Sequence, residues 1–416
     1  MTLGSSLASF AAYTLLLQHL GASARVDMLF YAASVPMAVA GMMSGVLLYL
    51  LPPRLTQIDS GKQLAVATIL GAVFIGLTGT SAAVALTAAH ALNTGLFGWL
   101  LVGFILTGGL SILSTIAICV AQARGAYLES GIAPLVASSG LLSGALAAIW
   151  WRQEWLLLAG QLAGTGLSLW LVARGFGFGA STRVPRIWQV GAASLAPLRR
   201  HALSITMGTL AFSFFQPIDA ALCSRLDSGS LTVMAYSLRV IVATGTAISL
   251  GAFAIAARVS HDTYLAGGLP ALRRMANLEV MRIIALGFTV WLIYIVGGDA
   301  LLIGLFSASN MPAANVERLR SCLEIMLLAA GPMTAVPYLF RLFYSLADYH
   351  KPALIGVCVP LLYGGVAWLL LPGHQILALA YSFTLVWWLA FAASLAWIHL
   401  SGPQTGAFAN SDKAIT

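Results

Sequence analysis

The chain has 416 residues, of which 60% are hydrophobic and only 8% charged. A soluble domain carries about 25% charged residues, so this composition argues against a soluble enzyme, a disordered protein and a nucleic-acid binder. The net charge of +8 sits in short stretches between long apolar runs, where it reads as membrane orientation rather than an anion-binding surface.

A helix crosses the hydrocarbon core in roughly 20 residues. The first six candidate spans are Leu3–Leu20, Met28–Leu51, Leu64–Leu86, Phe97–Val120, Ile132–Trp151 and Trp155–Val172. The second six are Leu203–Cys223, Thr232–Ala257, Ile283–Val296, Leu323–Leu346, Leu354–Leu371 and Ile376–Ile398. The ninth is the weakest, because Gly297, Gly298 and Asp299 either break it or let it run on to Phe306. The apolar runs are continuous rather than alternating, which excludes a β-barrel. Ala22-Ser23-Ala24 resembles a signal-peptidase site, but no Lys or Arg precedes Arg25. A signal peptide needs a basic start, so the first helix is expected to be retained.

Loop charges are unequal. The loops containing Arg54, Lys62, Arg124, Arg183 and Lys351 hold thirteen Lys or Arg, and the alternate loops hold five: Arg25, Arg152, Arg225, Arg318 and Arg320. That bias predicts that both termini are cytoplasmic. Cys119, Cys223, Cys322 and Cys358 lie in or beside apolar spans without a C-x-x-C pair, so neither a disulfide framework nor a zinc site is expected.

The longest hydrophilic stretch carries Gly175-Phe-Gly-Phe-Gly179 and a basic cluster. It divides the chain into a six-helix lobe at 1–172, a linker at 173–202, a second six-helix lobe at 203–400 and a tail at 401–416. Leu20–Tyr31 resembles Leu226–Ser237 at an offset of 206 residues. Even span numbers per half make this a parallel repeat, and transporters so built place substrate between the halves near the midplane. The expected fold class is all-α: a polytopic membrane protein of about 12 transmembrane helices in two pseudo-symmetric lobes around a central cavity.

Gly21–Phe30 followed by Val35-Pro36 resembles the first-to-second-helix signature of the lipid II flippase (MurJ) family, within the multidrug/oligosaccharidyl-lipid/polysaccharide exporter superfamily. Ala221–Arg239, with Ser228-Gly229-Ser230 and Tyr236, resembles that family's seventh and eighth helices. Gly298–Phe306 resembles its loop before the tenth helix, and Phe343-Tyr344-Ser345, Asp348 and Pro352 resemble the end of that helix. The resemblance runs over roughly residues 8 to 372. It implies a flippase without cofactor, in the bacterial cytoplasmic membrane, whose partners are a lipid-linked saccharide, membrane lipids and cell-envelope polysaccharide synthesis proteins. The chain departs from the family where cavity arginines are expected: the first helix holds Ala12 and Gln18, the second Ala40 and Gly41. Family members commonly have fourteen helices, and about twelve are expected here.

Charges at bilayer depth are costly and each needs a reason. Arg239, inside the eighth span, matches the family's cavity arginine. It is the candidate for binding a phosphate or diphosphate headgroup, since guanidinium pairs bidentately with oxyanions. The alternative is a structural pair with Asp219, near the end of the seventh span. Asp27 is either a gate contact or ion site, or a loop aspartate paired with Arg25. Asp219 is the second candidate for gating or ion coupling. Gln18 and Arg341 are candidate headgroup contacts, with snorkelling to the interface as the plain account of Arg341. Tryptophans and tyrosines partly flank the spans, as interface anchors do. No P-loop, G-x-S-x-G or H-E-x-x-H motif occurs, so no ATPase, catalytic site or metal is predicted. The readings are a flippase for a polyprenyl-(di)phosphate-linked saccharide (lipid II, or an exopolysaccharide or O-antigen unit), a cation-coupled multidrug exporter, or a non-transporting scaffold of a cell-envelope synthesis complex.

Overall fold

The computed structural model describes residues 2–56, 58–174, 189, 191, 193–195, 199–249, 252–346 and 348–400. The Gly175–Gly179 motif, Arg183 and Arg186 of the linker, and the 401–416 tail lie outside the described residues. Everything regular among the described residues is helical.

The first lobe holds α1 (Thr2–Leu20), α2 (Ala24–Leu55), α3 (Ser60–Ala91), α4 (Leu96–Ala123), α5 (Tyr127–Trp151) and α6 (Trp155–Ala173). The second holds α7 (Arg199–Ser213), α8 (Phe215–Cys223), α9 (Ser230–Ile248), α10 (Ala252–Phe306), α11 (Ala313–Met326), α12 (Ala330–Ser345), α13 (His350–His374) and α14 (Ile376–Leu400). Among the described residues, ten stretches are long and apolar enough to cross a membrane. The remaining two crossings are α1 and the broken α7–α8 unit. Exposed Val, Leu, Ile and Trp side chains cover the outer faces, such as Ile75, Val84, Val296 and Leu369. That surface suits lipid, not water.

Proline accounts for the irregular crossings. Pro217 has no N–H for the Ser213 carbonyl four residues earlier and clashes with it, and α7 ends at Ser213. Pro332 stands in the same relation to Leu328, inside the 3-10 turn Leu327–Ala329 that joins α11 to α12 into one crossing. Gly297-Gly298-Asp299 does not break the ninth span: α10 is helical through Phe306, so Gly298–Phe306 is not the loop that the family resemblance suggested. Gly268, at φ 64°, interrupts α10 instead. The eighth span closes at Ile248, earlier than its hydropathy suggested.

The repeat is visible at the helix starts. α2 begins at Ala24 and α9 at Ser230, the same offset of 206 residues as between the two similar segments. The six-helix lobes meet along α1 and α2 on one side and α7, α8 and α9 on the other. Within the lobes, glycines set the closest approaches. Gly140 and Gly144 of α5 lie against Gly164 and Gly160 of α6, backbone to backbone, which is how helices gain contact when lipid supplies no hydrophobic drive.

Gly356 on α13 is the tightest such position against α7. A Cβ there would come within 2.0 Å of the Met207 carbonyl oxygen, whereas one at Gly365 meets nothing within 4 Å. Overpacking of this kind costs about 1–3 kcal/mol. Gly356→Ala is therefore expected to lower the Tm of the detergent-solubilised protein by several degrees, and Gly365→Ala to leave it unchanged or raise it.

Candidate functional site

Two ends of the molecule are distinguished by their loops. The α1–α2, α5–α6, α8–α9 and α10–α11 connections share one end with Asp27; the α2–α3, α4–α5 and α12–α13 connections share the other with Lys62. At the Asp27 end the lobes are sealed by polar contacts. Asp27 is buried, 6% exposed. Its carboxylate accepts the Gly229 backbone N–H at 2.6 Å, the Thr232 N–H at 2.9 Å and the Thr232 hydroxyl at 2.5 Å. These donors are the open first turn of α9, where Gly229 occupies the N-cap with φ 90° and has no side chain to cap with. A carboxylate there satisfies orphan N–H groups and complements the helix dipole. The arrangement crosses the seam, because Asp27 belongs to the first lobe and α9 to the second. The reading of Asp27 as a loop aspartate held by Arg25 is corrected: Arg25 instead lies 3.9 Å from Glu154.

Further contacts extend the seal. Gln18 donates from Nε2 to the Leu305 carbonyl at 2.6 Å, and the Asn310 backbone N–H donates to the Gln18 carbonyl at 2.8 Å. The Asn310 side chain donates to the His19 carbonyl at 2.5 Å. Gly21 fits here with φ 68°, its would-be Cβ 2.6 Å from the Asn310 carbonyl oxygen. Gln18 thus stands in the seal, about five residues along α1 from Tyr13. Outside it, Arg318 pairs with Asp227 at 2.6 Å and Arg320 with Asp299 at 2.8 Å and Glu324 at 3.1 Å.

Arg239 lies nine residues beyond the start of α9, ~14 Å along the axis, which is about half of a ~30 Å hydrocarbon core. Among the described residues no carboxylate pairs with it, so the expected alternative of a bridge to Asp219 is not formed. Its guanidinium carbon sits 3.3 Å from the centre of the Tyr13 ring on α1 and 6.0 Å from that of Phe30 on α2. The side chain is partly accessible while its Nε is enclosed and has no hydrogen-bond partner. One turn nearer the seal, Thr14 and Tyr236 share a hydroxyl–hydroxyl bond of 2.9 Å across the same seam.

Asp219 is buried in the second lobe, 3% exposed. The Tyr363 hydroxyl donates to its Oδ1. Phe215, Phe383 and Trp387 close an aromatic cage around this pair, with Phe215 centred 4.6 Å from Tyr363 and 5.5 Å from Trp387. Arg341 lies at the opposite end, where Tyr49 of α2 meets Tyr344 of α12 at 5.2 Å and the Arg341 guanidinium is 5.9 Å from the Tyr49 ring. The five candidate residues therefore do not form one cluster. Asp27 and Gln18 hold the seal, Arg239 stands at mid-depth on the seam, Asp219 is caged within one lobe, and Arg341 sits at the far contact.

The sequence over residues 16–405 matches the family described as Lipid II flippase MurJ. The chain belongs to that family. Its fold is similar to a MurJ lipid II flippase in an inward closed conformation, with TM-score 0.74, 12% identity, and 95% of this chain and 86% of that one covered. It is equally similar to an inward-facing multidrug resistance MATE family transporter of the MOP superfamily, with TM-score 0.74, 12% identity, and 95% and 94% covered. A MOP superfamily transporter from Pyrococcus furiosus shares the fold at TM-score 0.65 and 12% identity, over 96% of each chain. None of the curated proteins matches the sequence. Of the positions where the family resemblance leads to arginine, Ala12 and Ala40 are buried and Gly41 is exposed.

Tyr236 was named only as part of the family resemblance, and Tyr13 and Tyr363 were not singled out by sequence, because tyrosines read there as interface anchors. Their signal was position: each lies well inside an apolar run. The seal generates a direct expectation. Removing the Asp27 carboxylate leaves two enclosed backbone donors unpaired, at about 1–3 kcal/mol each. Cys223, buried at the end of α8, reports on it. Asp27→Ala should raise the labelling rate of Cys223 by a hydrophilic maleimide several-fold, read by mass spectrometry of the labelled peptide. An unchanged rate would show that the carboxylate does not hold the seal.

Proposed function

We propose that this chain carries a polyprenyl-(di)phosphate-linked saccharide from the cytoplasmic to the outer leaflet of the bacterial cytoplasmic membrane, and that Arg239 holds its phosphate. Membership of the lipid II flippase family supports the cargo class, and the position of Arg239 carries the mechanism. A permanent cation at mid-depth, on the seam between two lobes and with no carboxylate partner among the described residues, suits an anionic headgroup that must cross there. The saccharide needs a hydrated path between the lobes, while the prenyl tail stays in lipid.

The excess of Lys and Arg on the Lys62 end assigns that end to the cytoplasm, with both termini there. The sealed Asp27 end then faces outward. The headgroup enters from the cytoplasmic side and meets Arg239. The lobes rock, Asp27 releases the first turn of α9, and the headgroup leaves outward. Gln18 takes part by releasing Leu305 in the same motion, and Arg341 guides the headgroup at the entry between Tyr49 and Tyr344. The chain is a transporter and not a catalyst. With no ATP-binding motif in the sequence, an ion gradient or the membrane potential supplies the drive, and one charge crossing 100 mV is worth about 2.3 kcal/mol. Asp219, whose one hydrogen-bond partner among the described residues is Tyr363, is the group through which an ion is coupled to the second lobe. The multidrug-exporter reading has less to rest on, since the likeness to MATE transporters is one of fold at 12% identity.

Depletion in the host with mass spectrometry of the lipid extract tests this reading. A single lipid-linked saccharide is expected to accumulate on the cytoplasmic face, as judged by an impermeant labelling enzyme. Arg239→Ala should fail to relieve the accumulation and Arg239→Lys should relieve it in part. No accumulation in a host lacking a redundant flippase would contradict the proposal and favour small-molecule efflux or a scaffold.

A further inference from the structure

At the Lys62 end the lobes meet through aromatic rings. Tyr49, near the end of α2, meets Tyr344 of α12 edge-on, with ring centres 5.2 Å apart and planes at 63°. Tyr344 stacks on Tyr349 of the α12–α13 connection at 5.7 Å and 26°. Tyr349 stacks on His201, at the start of α7, at 4.3 Å and 23°. These rings run from the first lobe, through α12, to the point where the linker enters the second lobe. The corner that carries Tyr349 is fixed, because the Asp348 backbone N–H donates to the Phe343 carbonyl at 2.9 Å and Lys351 pairs with Asp348 at 2.8 Å. Gly208 of α7 makes room for Tyr344: a Cβ there would lie 2.6 Å from the Tyr344 hydroxyl oxygen. That hydroxyl is enclosed and has no hydrogen-bond partner among the described residues.

The two ends of the seam are therefore held by different forces. At the Asp27 end a carboxylate meets three donors. At the Lys62 end edge-on and offset ring pairs favour closure. The Tyr344 hydroxyl opposes it, because a polar group enclosed without a partner has lost its water and gained no hydrogen bond. Parting α2 from α12 takes the Tyr49 ring away and lets water reach the hydroxyl, so the opposing contribution vanishes on opening. Between these ends α2 stays against α7, with would-be Cβ atoms of Gly41 and Gly45 at 3.7 Å from Ser213 and 3.2 Å from Thr209. From Asp27 to Tyr49 that contact spans ~33 Å, the thickness of the hydrocarbon core.

We propose that the Tyr49–Tyr344 contact is a gate biased to open: its rings shut the Lys62 end, the unpaired Tyr344 hydroxyl limits how firmly, and this end releases before the Asp27 end. The inference goes beyond the flippase reading and is tested without cargo, so it can fail while that reading stands. The test is distance measurement between spin labels on the full chain in nanodiscs, with the native cysteines replaced by alanine. One pair, Lys62→Cys with His350→Cys, uses exposed positions on the two lobes at the Lys62 end. The wild type should show two distances, closed and open. Tyr344→Phe keeps the ring and deletes the hydroxyl, and should raise the ratio of closed to open about fivefold. Tyr49→Leu deletes the ring across the seam and should lower that ratio about fivefold. A second pair at the Asp27 end, Gln153→Cys with Ser228→Cys, should keep one distance in all three proteins. A single distance at the Lys62 end of the wild type would overturn the proposal. So would a Tyr344→Phe ratio that is unchanged or shifted toward open, an unchanged Tyr49→Leu ratio, or a second distance at the Asp27 end. Should Tyr49→Leu fail to fold, the wild type and Tyr344→Phe decide.

Discussion

The seam between the lobes depends on one carboxylate. Asp27 sits on the first lobe and accepts three hydrogen bonds from the first turn of α9 on the second. A helix start in a membrane protein has no water to satisfy its N–H groups when it is enclosed by protein. Here an anion from the other half of the molecule satisfies them. The helix so anchored carries Tyr236 and, further on, Arg239, which places the hydroxyl bond to Thr14 and the stack on Tyr13 in register along α1. Gly229 makes this feasible, because its φ of 90° lets the chain turn into α9 with no side chain in the way of Asp27.

The same constraint explains why each interior charge has its own kind of partner. Asp27 is met by backbone and hydroxyl donors, Asp219 by a tyrosine hydroxyl inside an aromatic cage, and Arg239 by a ring face. Pairing Arg239 with Asp219 would have cancelled both charges, yet a cancelled pair has no capacity left for an anionic headgroup. Held apart, each retains the chemistry its place requires. In the proposed mechanism Asp27 exchanges its donors when the lobes move, and Arg239 has no carboxylate partner among the described residues. A seal built from a few hydrogen bonds to backbone groups is also suited to repeated opening, since the released groups meet water once the lobes part.

Much of this was legible in the sequence. Twelve crossings followed from apolar run length, and the two-lobe layout from the repeat, whose offset reappears at the starts of α2 and α9. Arg239, Asp27 and Asp219 were each legible as charges at depth. The partners of those charges were not, because they come from residues more than a hundred positions away. Thr232 and Gly229 carry no mark in sequence that they face Asp27, and a tyrosine reads alike whether it anchors at the interface or packs at mid-depth. Gly297-Gly298-Asp299 misled for a related reason. Glycine lowers helix propensity in water, but in an apolar setting the backbone keeps its internal hydrogen bonds, and Asp299 finds Arg320 at the helix end.

The central claim is that a headgroup crosses between these lobes. The most direct measurement is leaflet transfer in proteoliposomes of the purified chain, using a fluorescent short-prenyl lipid-linked saccharide and an impermeant quencher. The account predicts that lipid in the inner leaflet becomes quenchable at a rate that rises with protein content and depends on an imposed ion gradient or potential. Transfer no faster than in protein-free liposomes, under any imposed gradient, would contradict it.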